Sequence, residues 1–144
     1  MFFNKSYEQA SIAFRRAGRN REAAICDAYL LREKARATST TASAARVQAF
    51  VIAAEAFIDC AQHSPSERAN ECLAYYGAAG ECYSEVHDLK RAGDNYRMAQ
   101  QYDEAARSYQ EGGHLHELVE VITQHGNAMD GGLLERLRLA AQMD

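Results

Sequence analysis

One pattern in the second half of the chain recurs at a fixed period of thirteen residues and limits the folds open to it. Each instance has a small or apolar residue, a large apolar residue four positions later, and a third position three later. The four instances are Ala79, Tyr83 and Val86; Ala92, Tyr96 and Ala99; Ala105, Tyr109 and Gly112; and Leu118, Ile122 and His125. Spacings of four and three place all three positions on one helical face, and the period leaves room for about three turns plus a tight connection. The pattern predicts a series of short stacked helices.

Composition favours helices throughout. The chain of 144 residues has one proline, Pro65, and no tryptophan, while alanine is abundant and β-branched residues are few. Alanine is the best helix former, and β-branched residues prefer strands. We therefore expect an all-α fold of about seven or eight helices with no β-sheet, in a single domain over residues 1–144.

Apolar periodicity and capping signals place the helices along the chain. They run over about Ser6–Ala17, Asn20–Ala37, Ser43–Gln62, Pro65–Ser84, Asp88–Gln100, Tyr102–Glu111, Leu115–His125 and Gly132–Met143. Three starts rest on capping residues, namely Ser6 with Gln9, Asn20, and the run Ser64-Pro65-Ser66-Glu67. Gly18 is expected to end the first helix. Because the connections are short, neighbouring helices should lie antiparallel.

The third helix has the widest apolar face of the chain. Its members are Val47, Phe50, Val51, Ala54, Phe57, Ile58 and Ala61. On the second helix, Arg21, Arg32 and Lys34 are predicted to face solvent. In the fourth helix, Gly77 and Gly80 either permit the close approach of a neighbouring helix or mark a kink.

Charge is distributed unevenly along the chain. Residues 1–46 hold nine Lys and Arg against four Asp and Glu, and the remainder holds seven against sixteen, so the net charges are +5 and −9. The basic part includes a cluster around the first interhelical turn, made of Arg15, Arg16, Arg19 and Arg21. These arginines are candidates for contact with phosphates or an acidic partner, or they form a solvated helix end. The acidic part is expected to face water, a basic partner or a neighbouring domain; it includes Glu67, Glu71, Glu81, Glu85 and Asp88.

The tyrosines divide into two groups. Those at helical spacing are predicted to lie in the core with the hydroxyl reaching water or a carbonyl, and they are Tyr76, Tyr83, Tyr96 and Tyr109. Tyr29, Tyr75 and Tyr102 fall off these stripes. They are candidate exposed anchors for a bound peptide or helix, or they pack against the next repeat.

No pattern for metal or catalytic chemistry emerges from the cysteines and histidines. Cys26, Cys60, Cys72 and Cys82 lie in predicted helices without CxxC spacing, which indicates reduced, mostly buried thiols. Cys60-x-x-His63 would supply two of the four ligands that zinc needs. No histidine is paired by local spacing with a serine or cysteine nucleophile. We expect no metal, no cofactor and no enzymatic activity in this segment.

The motif Ala-x3-Phe/Tyr-x2-Ala/Gly resembles the second helix of a tetratricopeptide repeat. It is present in Tyr7-Glu8-Gln9-Ala10 through Phe14 to Ala17-Gly18, in Ala53, Phe57 and Cys60, and in Tyr102-Asp103-Glu104-Ala105 through Tyr109 to Gly112. The period is not the thirty-four residues of regular tetratricopeptide repeats. The single-helix steps look more like the degenerate helical repeats of vesicle-coat, SNAP-type and intraflagellar-transport proteins.

Three stretches stand out in order along the chain: Tyr7 to Gly18; Ala28-Tyr29-Leu30-Leu31-Arg32-Glu33 before a Ser/Thr-rich loop and Ala49-Phe50; and Ala79-Gly80-Glu81-Cys82-Tyr83. This order of segments is similar to the helical region of large fungal UvrD/Rep-type helicase-like proteins, which are related to helicases with tetratricopeptide and ankyrin repeats. The resemblance implies a fragment of a larger protein whose ATP-driven motor lies elsewhere. The pairs Gly112-Gly113 and Gly131-Gly132 lack the lysine of a phosphate-binding loop, so nucleotide-binding residues have no positions here.

These observations predict a non-catalytic interaction module, a short tetratricopeptide-like α-solenoid that docks a protein partner or its own motor domain. The alternatives are a SNAP- or coat-like trafficking adaptor and a nucleic-acid guide that uses the arginine cluster. Self-association through an open end of the stack is a further option. The opening residues lack a signal peptide and no apolar run reaches about eighteen residues, so we expect an intracellular protein of the nucleus or cytoplasm.

Overall fold

Eight α-helices and two short 3₁₀ turns make up the described part of the chain. The computed structural model describes residues 2–39 and 43–141, with side chains from Ser6 onward. The helices are α1 (Phe2–Arg16), α2 (Asn20–Ala37), α3 (Ser43–Gln62), α4 (Ala69–Glu85), α5 (Leu89–Met98), α6 (Tyr102–Glu111), α7 (Leu115–His125) and α8 (Gly131–Ala140), and the 3₁₀ turns are Ser66–Arg68 and Gly126–Ala128. None of these described residues forms a strand, which confirms the all-α prediction. No helix among them is both long and apolar enough to cross a membrane.

Most helix limits follow the predicted ones, but the capping predictions are wrong. The limits of α2, α3, α6 and α7 are those predicted from the sequence. Helix α1 already begins at Phe2, so Ser6 lies inside it. Helix α2 has Arg19 at its N-cap and no side-chain cap, so Asn20 is its first residue and not the cap. The predicted end of the last helix at Met143 lies outside the described residues.

The start of α4 also differs from its prediction. Pro65 precedes a 3₁₀ turn, and the α-helix begins at Ala69. The Ser64 hydroxyl makes no capping bond at this start, and it donates to the carbonyl oxygen of Cys60 at 2.8 Å, near the end of α3. This is the backward bond, four residues along the chain, that serine often makes near helix ends.

The thirteen-residue period appears in the structure as one repeated turn. The carbonyl of an aromatic residue accepts the N–H five positions later, in the pairs Phe14 with Arg19, Tyr83 with Asp88, Tyr96 with Gln101 and Tyr109 with His114, at 2.8 to 3.0 Å. The residue before each donor has a positive φ: Gly18 at 74°, His87 at 58°, Gln100 at 61° and Gly113 at 74°. This is the Schellman ending of a helix, and the donor is also the N-cap of the next helix. Gly18 ends α1 as predicted.

The repeated positions form the core of the second half. Ala79, Ala92, Ala105 and Leu118 are fully buried, and Tyr83, Tyr96, Tyr109 and Ile122 are at most 9% exposed. Small residues beside them allow close packing: a Cβ added to Gly80 would lie 2.9 Å from the Tyr96 ring, and one added to Gly93 would lie 2.5 Å from the Tyr109 ring. Helix α4 runs unbroken through Gly77 and Gly80, so close approach is the explanation for Gly80.

Helices α1 to α7 pack most extensively against their neighbours in the chain, whereas α8 packs more against α6 than against α7. Further contacts link helices two apart. Arg21 of α2 meets Glu71 of α4 at 3.0 Å, Arg97 of α5 meets Glu120 of α7 at 2.9 Å, and α6 contacts α8. Helices two apart thus also meet, in the pairs α2 with α4, α5 with α7 and α6 with α8.

Two predictions about side-chain position are wrong. Val47 on α3 is 44% exposed, although its spacing assigned it to the apolar face, whereas Phe50, Ala54, Phe57 and Ala61 are buried as predicted. Arg21 and Arg32 of α2 do not extend freely into solvent, since their side chains are 24% and 17% exposed.

Candidate functional site

The N-terminal arginine cluster is largely engaged within the molecule. Arg15 donates to Asp27 at 2.5 Å and to the Ser11 hydroxyl at 2.7 Å, and Ser11 in turn donates to Asp27 at 2.6 Å. Burial raises the pKa of Asp27, but the hydrogen bonds from Arg15 and Ser11 act in the opposite direction and leave it below its ordinary value. Arg15 and Ser11 therefore tie α1 to α2.

The other arginines of the cluster differ in their contacts. Arg19 lies 3.3 Å from Glu22, and its guanidinium sits 5.5 Å from the centre of the Phe14 ring. Arg21 donates to Glu71 at 3.0 Å. Arg16 is exposed and has no partner among the described residues. Of the four arginines proposed to meet a phosphate or an acidic partner, only Arg16 is uncommitted.

The acidic residues of α4 pair with arginines from the basic part of the chain. Arg21 and Arg32 of α2 face Glu71 and Glu81, and Arg46 of α3 faces Glu85. The predicted exposure of these glutamates to water or a partner is therefore only partly right, since each is about half exposed beside an arginine. The uneven charge along the sequence is thus partly compensated within the fold.

The three off-stripe tyrosines are not free anchors. Tyr75 is buried, with 6% exposed. Tyr29 stacks on Tyr7 at 5.6 Å between ring centres and meets the edge of Phe57 at 5.1 Å. Tyr102 stacks on His125 at 3.9 Å with the rings nearly parallel. All three use their rings inside the molecule, as expected for packing between helices.

Among the tyrosines predicted to lie in the core, Tyr83, Tyr96 and Tyr109 are buried and Tyr76 is partly buried. The Tyr109 hydroxyl donates to the Asp94 carboxylate at 2.5 Å, where a carbonyl or water was expected. Burial and the carboxylate together raise the pKa of Tyr109 above its ordinary value. Lys90 donates to the other oxygen of Asp94 at 2.9 Å, which completes a small network between α5 and α6.

All four cysteines are free thiols: Cys60 and Cys82 are buried, and Cys26 and Cys72 are partly buried. Burial raises the pKa of Cys82 to about 11 and that of Cys60 above its ordinary value, so both are held as unreactive thiols. His63 lies 2.8 Å from the Asp59 carbonyl oxygen at the end of α3. In residues 2–39 and 43–141 no group of three or more potential ligands is placed to hold a metal ion.

A small pocket between α2, α3 and α4 is the feature that sequence reasoning missed. Its volume is about 100 Å³, and it is lined by Arg32, Arg36, Phe50, Glu81, Cys82 and Glu85. The guanidinium of Arg32 lies over two aromatic rings, 5.0 Å from the centre of Tyr29 and 5.5 Å from that of Phe57. The spacing of three between Tyr29 and Arg32 on one helix is the sequence signal for this stacking. No local sequence pattern predicted that α3 and α4 would supply residues to this pocket.

Large apolar side chains are also exposed, and most of them lie on odd-numbered helices. They are Ile12 on α1, Val47 and Ile52 on α3, Met98 on α5, Leu115 and Val119 on α7, and Leu139 on α8.

Comparisons of the chain with protein families, curated proteins and solved structures find no match.

Proposed function

We propose that this chain is a non-catalytic protein-interaction module of the tetratricopeptide-like kind, acting inside the cell. The observation that carries the proposal is that, in the described part of the chain, six of the seven exposed large apolar side chains lie on α1, α3, α5 and α7, the seventh being Leu139 on α8. Single exposed apolar residues are common, but their recurrence on alternate helices of a helical array is typical of a surface that binds another protein. The shared Schellman turns and the packing between consecutive helices support the repeat architecture.

The partner that we propose is the ATP-driven UvrD-like motor domain of a larger parent protein. This choice rests on the resemblance of the segment order to helicase-associated helical regions. A trafficking adaptor has the same kind of surface and differs only in its partner, so the identity of the captured proteins distinguishes the two.

The experiment is a pull-down from the source cell with this chain as bait, analysed by mass spectrometry with and without nuclease. A bait with Leu115→Glu and Val119→Glu places two charges on the exposed stripe of α7, where these residues are 57% and 37% exposed. The matched control is Leu139→Glu on α8, whose side chain is 72% exposed. Circular dichroism establishes that each bait is folded.

We expect the wild-type and Leu139→Glu baits to retain a common set of proteins that the Leu115→Glu, Val119→Glu bait loses. Motor or nucleic-acid-processing proteins in that set support the helicase-associated module, whereas coat or fusion machinery transfers the assignment to the trafficking adaptor. A wild-type bait that retains nothing beyond an empty resin overturns the interaction module itself.

The nucleic-acid guide has less support than the protein-interaction module, because three of its four arginines have acidic partners within the chain. Phosphate contacts would make DNA or RNA binding fall steeply with salt. We expect fluorescence anisotropy with a single-stranded oligonucleotide at low salt to detect no such binding. Steep salt-dependent binding that disappears when Arg15, Arg16, Arg19 and Arg21 are changed together would instead support the nucleic-acid guide.

A further inference from the structure

The guanidinium of Arg32 is confined in the pocket between α2, α3 and α4 without a hydrogen bond to any described residue. Its side chain is 17% exposed, and its Nε is buried with no partner. The nearest carboxylate oxygens belong to Glu81, at 3.9 Å, and Glu33, at 4.0 Å, both beyond hydrogen-bond distance. A buried N–H donor without an acceptor is unfavourable, and the Nε of Arg32 is such a donor. Arg32 therefore has only long ion pairs with the carboxylates around it.

The surrounding rings hold the guanidinium in place. Tyr29 and Phe57 both lie within cation–π distance of its carbon, and both rings are themselves packed in the molecule. A guanidinium held over aromatic faces loses little freedom when an acceptor arrives, so its donors are preorganised.

The neighbouring carboxylates are mostly committed to other arginines. Glu33 accepts a hydrogen bond from Arg36 at 2.9 Å, and Glu85 accepts one from Arg46 at 3.3 Å. Only Glu81 has no hydrogen bond, and its side chain is 58% exposed. Of the two carboxylates nearest to Arg32, Glu81 is thus the one with no hydrogen bond elsewhere, and it competes most directly for the guanidinium.

We propose that Arg32, with Arg36 beside it, binds the carboxylate of an acidic side chain from a protein partner, inserted between α2 and α4. This inference rests on the proposed interaction function and names the chemistry of the partner. A planar carboxylate matches the guanidinium fork in a bidentate geometry. A pocket of about 100 Å³ accepts a carboxylate with its methylene group against the buried ring of Phe50.

A carboxylate fits this pocket better than a phosphate does. The lining holds two arginines and two glutamates, so its formal charges cancel. Net charge therefore gives a phosphate no compensating attraction for its second charge, while the cost of removing an ion from water rises with its charge.

The test is an NMR titration of the full chain that follows the Nε–Hε signals of its arginines. The probes are the acetylated and amidated tripeptides Ala-Glu-Ala and Ala-Gln-Ala, and inorganic phosphate. The variant Arg32→Lys identifies the Arg32 signal by its loss, and Arg107→Lys is the matched control, since Arg107 on α6 is exposed and has no described partner. The titration of the wild-type chain needs no variant to fold.

We expect Ala-Glu-Ala to shift the Arg32 signal and Ala-Gln-Ala to leave it unchanged. Arg32→Lys should weaken binding of Ala-Glu-Ala, followed by backbone amide shifts, by about tenfold because lysine cannot form the bidentate pair, while Arg107→Lys should not change it. Glu81→Gln should strengthen binding by removing the internal competitor. A response to phosphate that exceeds the response to Ala-Glu-Ala overturns the proposal.

Different results would refute the pocket proposal and the proposed interaction function. If Ala-Glu-Ala has no effect and Glu81→Gln alone shifts the Arg32 signal, Glu81 already occupies the guanidinium and the pocket proposal is wrong. If an Arg32→Lys bait retains every protein that the wild-type bait captures, the pocket is again excluded but the interaction module stands.

Discussion

Replacement of Gly93 by alanine tests whether close packing of the repeated tyrosines holds α5 and α6 together. A Cβ at this position would lie 2.5, 2.7 and 2.8 Å from three atoms of the Tyr109 ring. The ring cannot move aside easily, because it is fully buried and its hydroxyl is bonded to Asp94 at 2.5 Å. Overpacking of a core costs ~1–3 kcal/mol, and the upper end applies where three ring atoms clash.

Alanine also has a better helix propensity than glycine, by ~1 kcal/mol, which offsets part of that cost. We therefore expect Gly93→Ala to lower the free energy of unfolding by about 2 kcal/mol. The matched control is Gly77→Ala in α4, whose added Cβ would lie 2.8 Å from Nε2 of Gln101. Because the Gln101 side chain is exposed and its amide end can swing away, we expect the control to be unchanged or more stable by up to ~1 kcal/mol.

The assay is urea unfolding followed by far-ultraviolet circular dichroism, with stability taken from the midpoint at an unchanged slope. Gly93→Ala at or above wild-type stability would refute the packing argument. An equal loss in Gly77→Ala would refute it in another way, because the helix backbone, and not the Tyr109 ring, would then set the cost.

Three further predictions concern polar and titrating groups. Tyr109→Phe removes the hydrogen bond to Asp94 and should lower the free energy of unfolding by ~1.5 kcal/mol in the same urea assay; no loss would mean that the bond contributes nothing. Burial raises the pKa of Cys82 from 9.0 to about 11, so the unfolded chain releases this thiol proton first, and stability should fall as pH rises from 9 to 11. Cys82→Ala should reduce that fall, by about 2 kcal/mol at pH 11, and identical pH profiles would contradict the assignment. A double-mutant cycle on Arg21 and Glu71 should give a coupling of ~0.5–1 kcal/mol that shrinks in 1 M salt, whereas a salt-independent coupling would exclude an ion pair.

Local sequence signals predicted most of the secondary structure. Apolar spacing placed α2, α3, α6 and α7 at their observed limits, and Gly18 ended α1 as expected. Helix starts were less predictable because a capping residue has more than one acceptor or donor within reach. Ser64 bonds backward to Cys60 and leaves α4 to start after a 3₁₀ turn.

The candidate site was less predictable than the fold. The arginine cluster and the off-stripe tyrosines were candidate binding residues because they lie outside the apolar stripes. An apolar stripe, however, shows only which side of one helix is buried, and not which other side chains are covered by distant helices. Tyr75 is buried by other helices, and Arg32 is covered by Tyr29 and Phe57. The pocket around Arg32 could not be predicted because its lining comes from three helices.

The sequence by itself determined the helices and the repeated turn, because hydrogen bonds and apolar spacing within thirteen residues are sufficient to specify both. Only the tertiary structure decided which charges meet. Arg21 and Glu71 are 50 residues apart in the chain, and Arg46 and Glu85 are 39 apart. Pairings over such separations depend on how the helices stack, and no local pattern encodes them. The same stacking buries the Nε of Arg32 without a hydrogen bond and leaves apolar side chains exposed on α1, α3, α5 and α7.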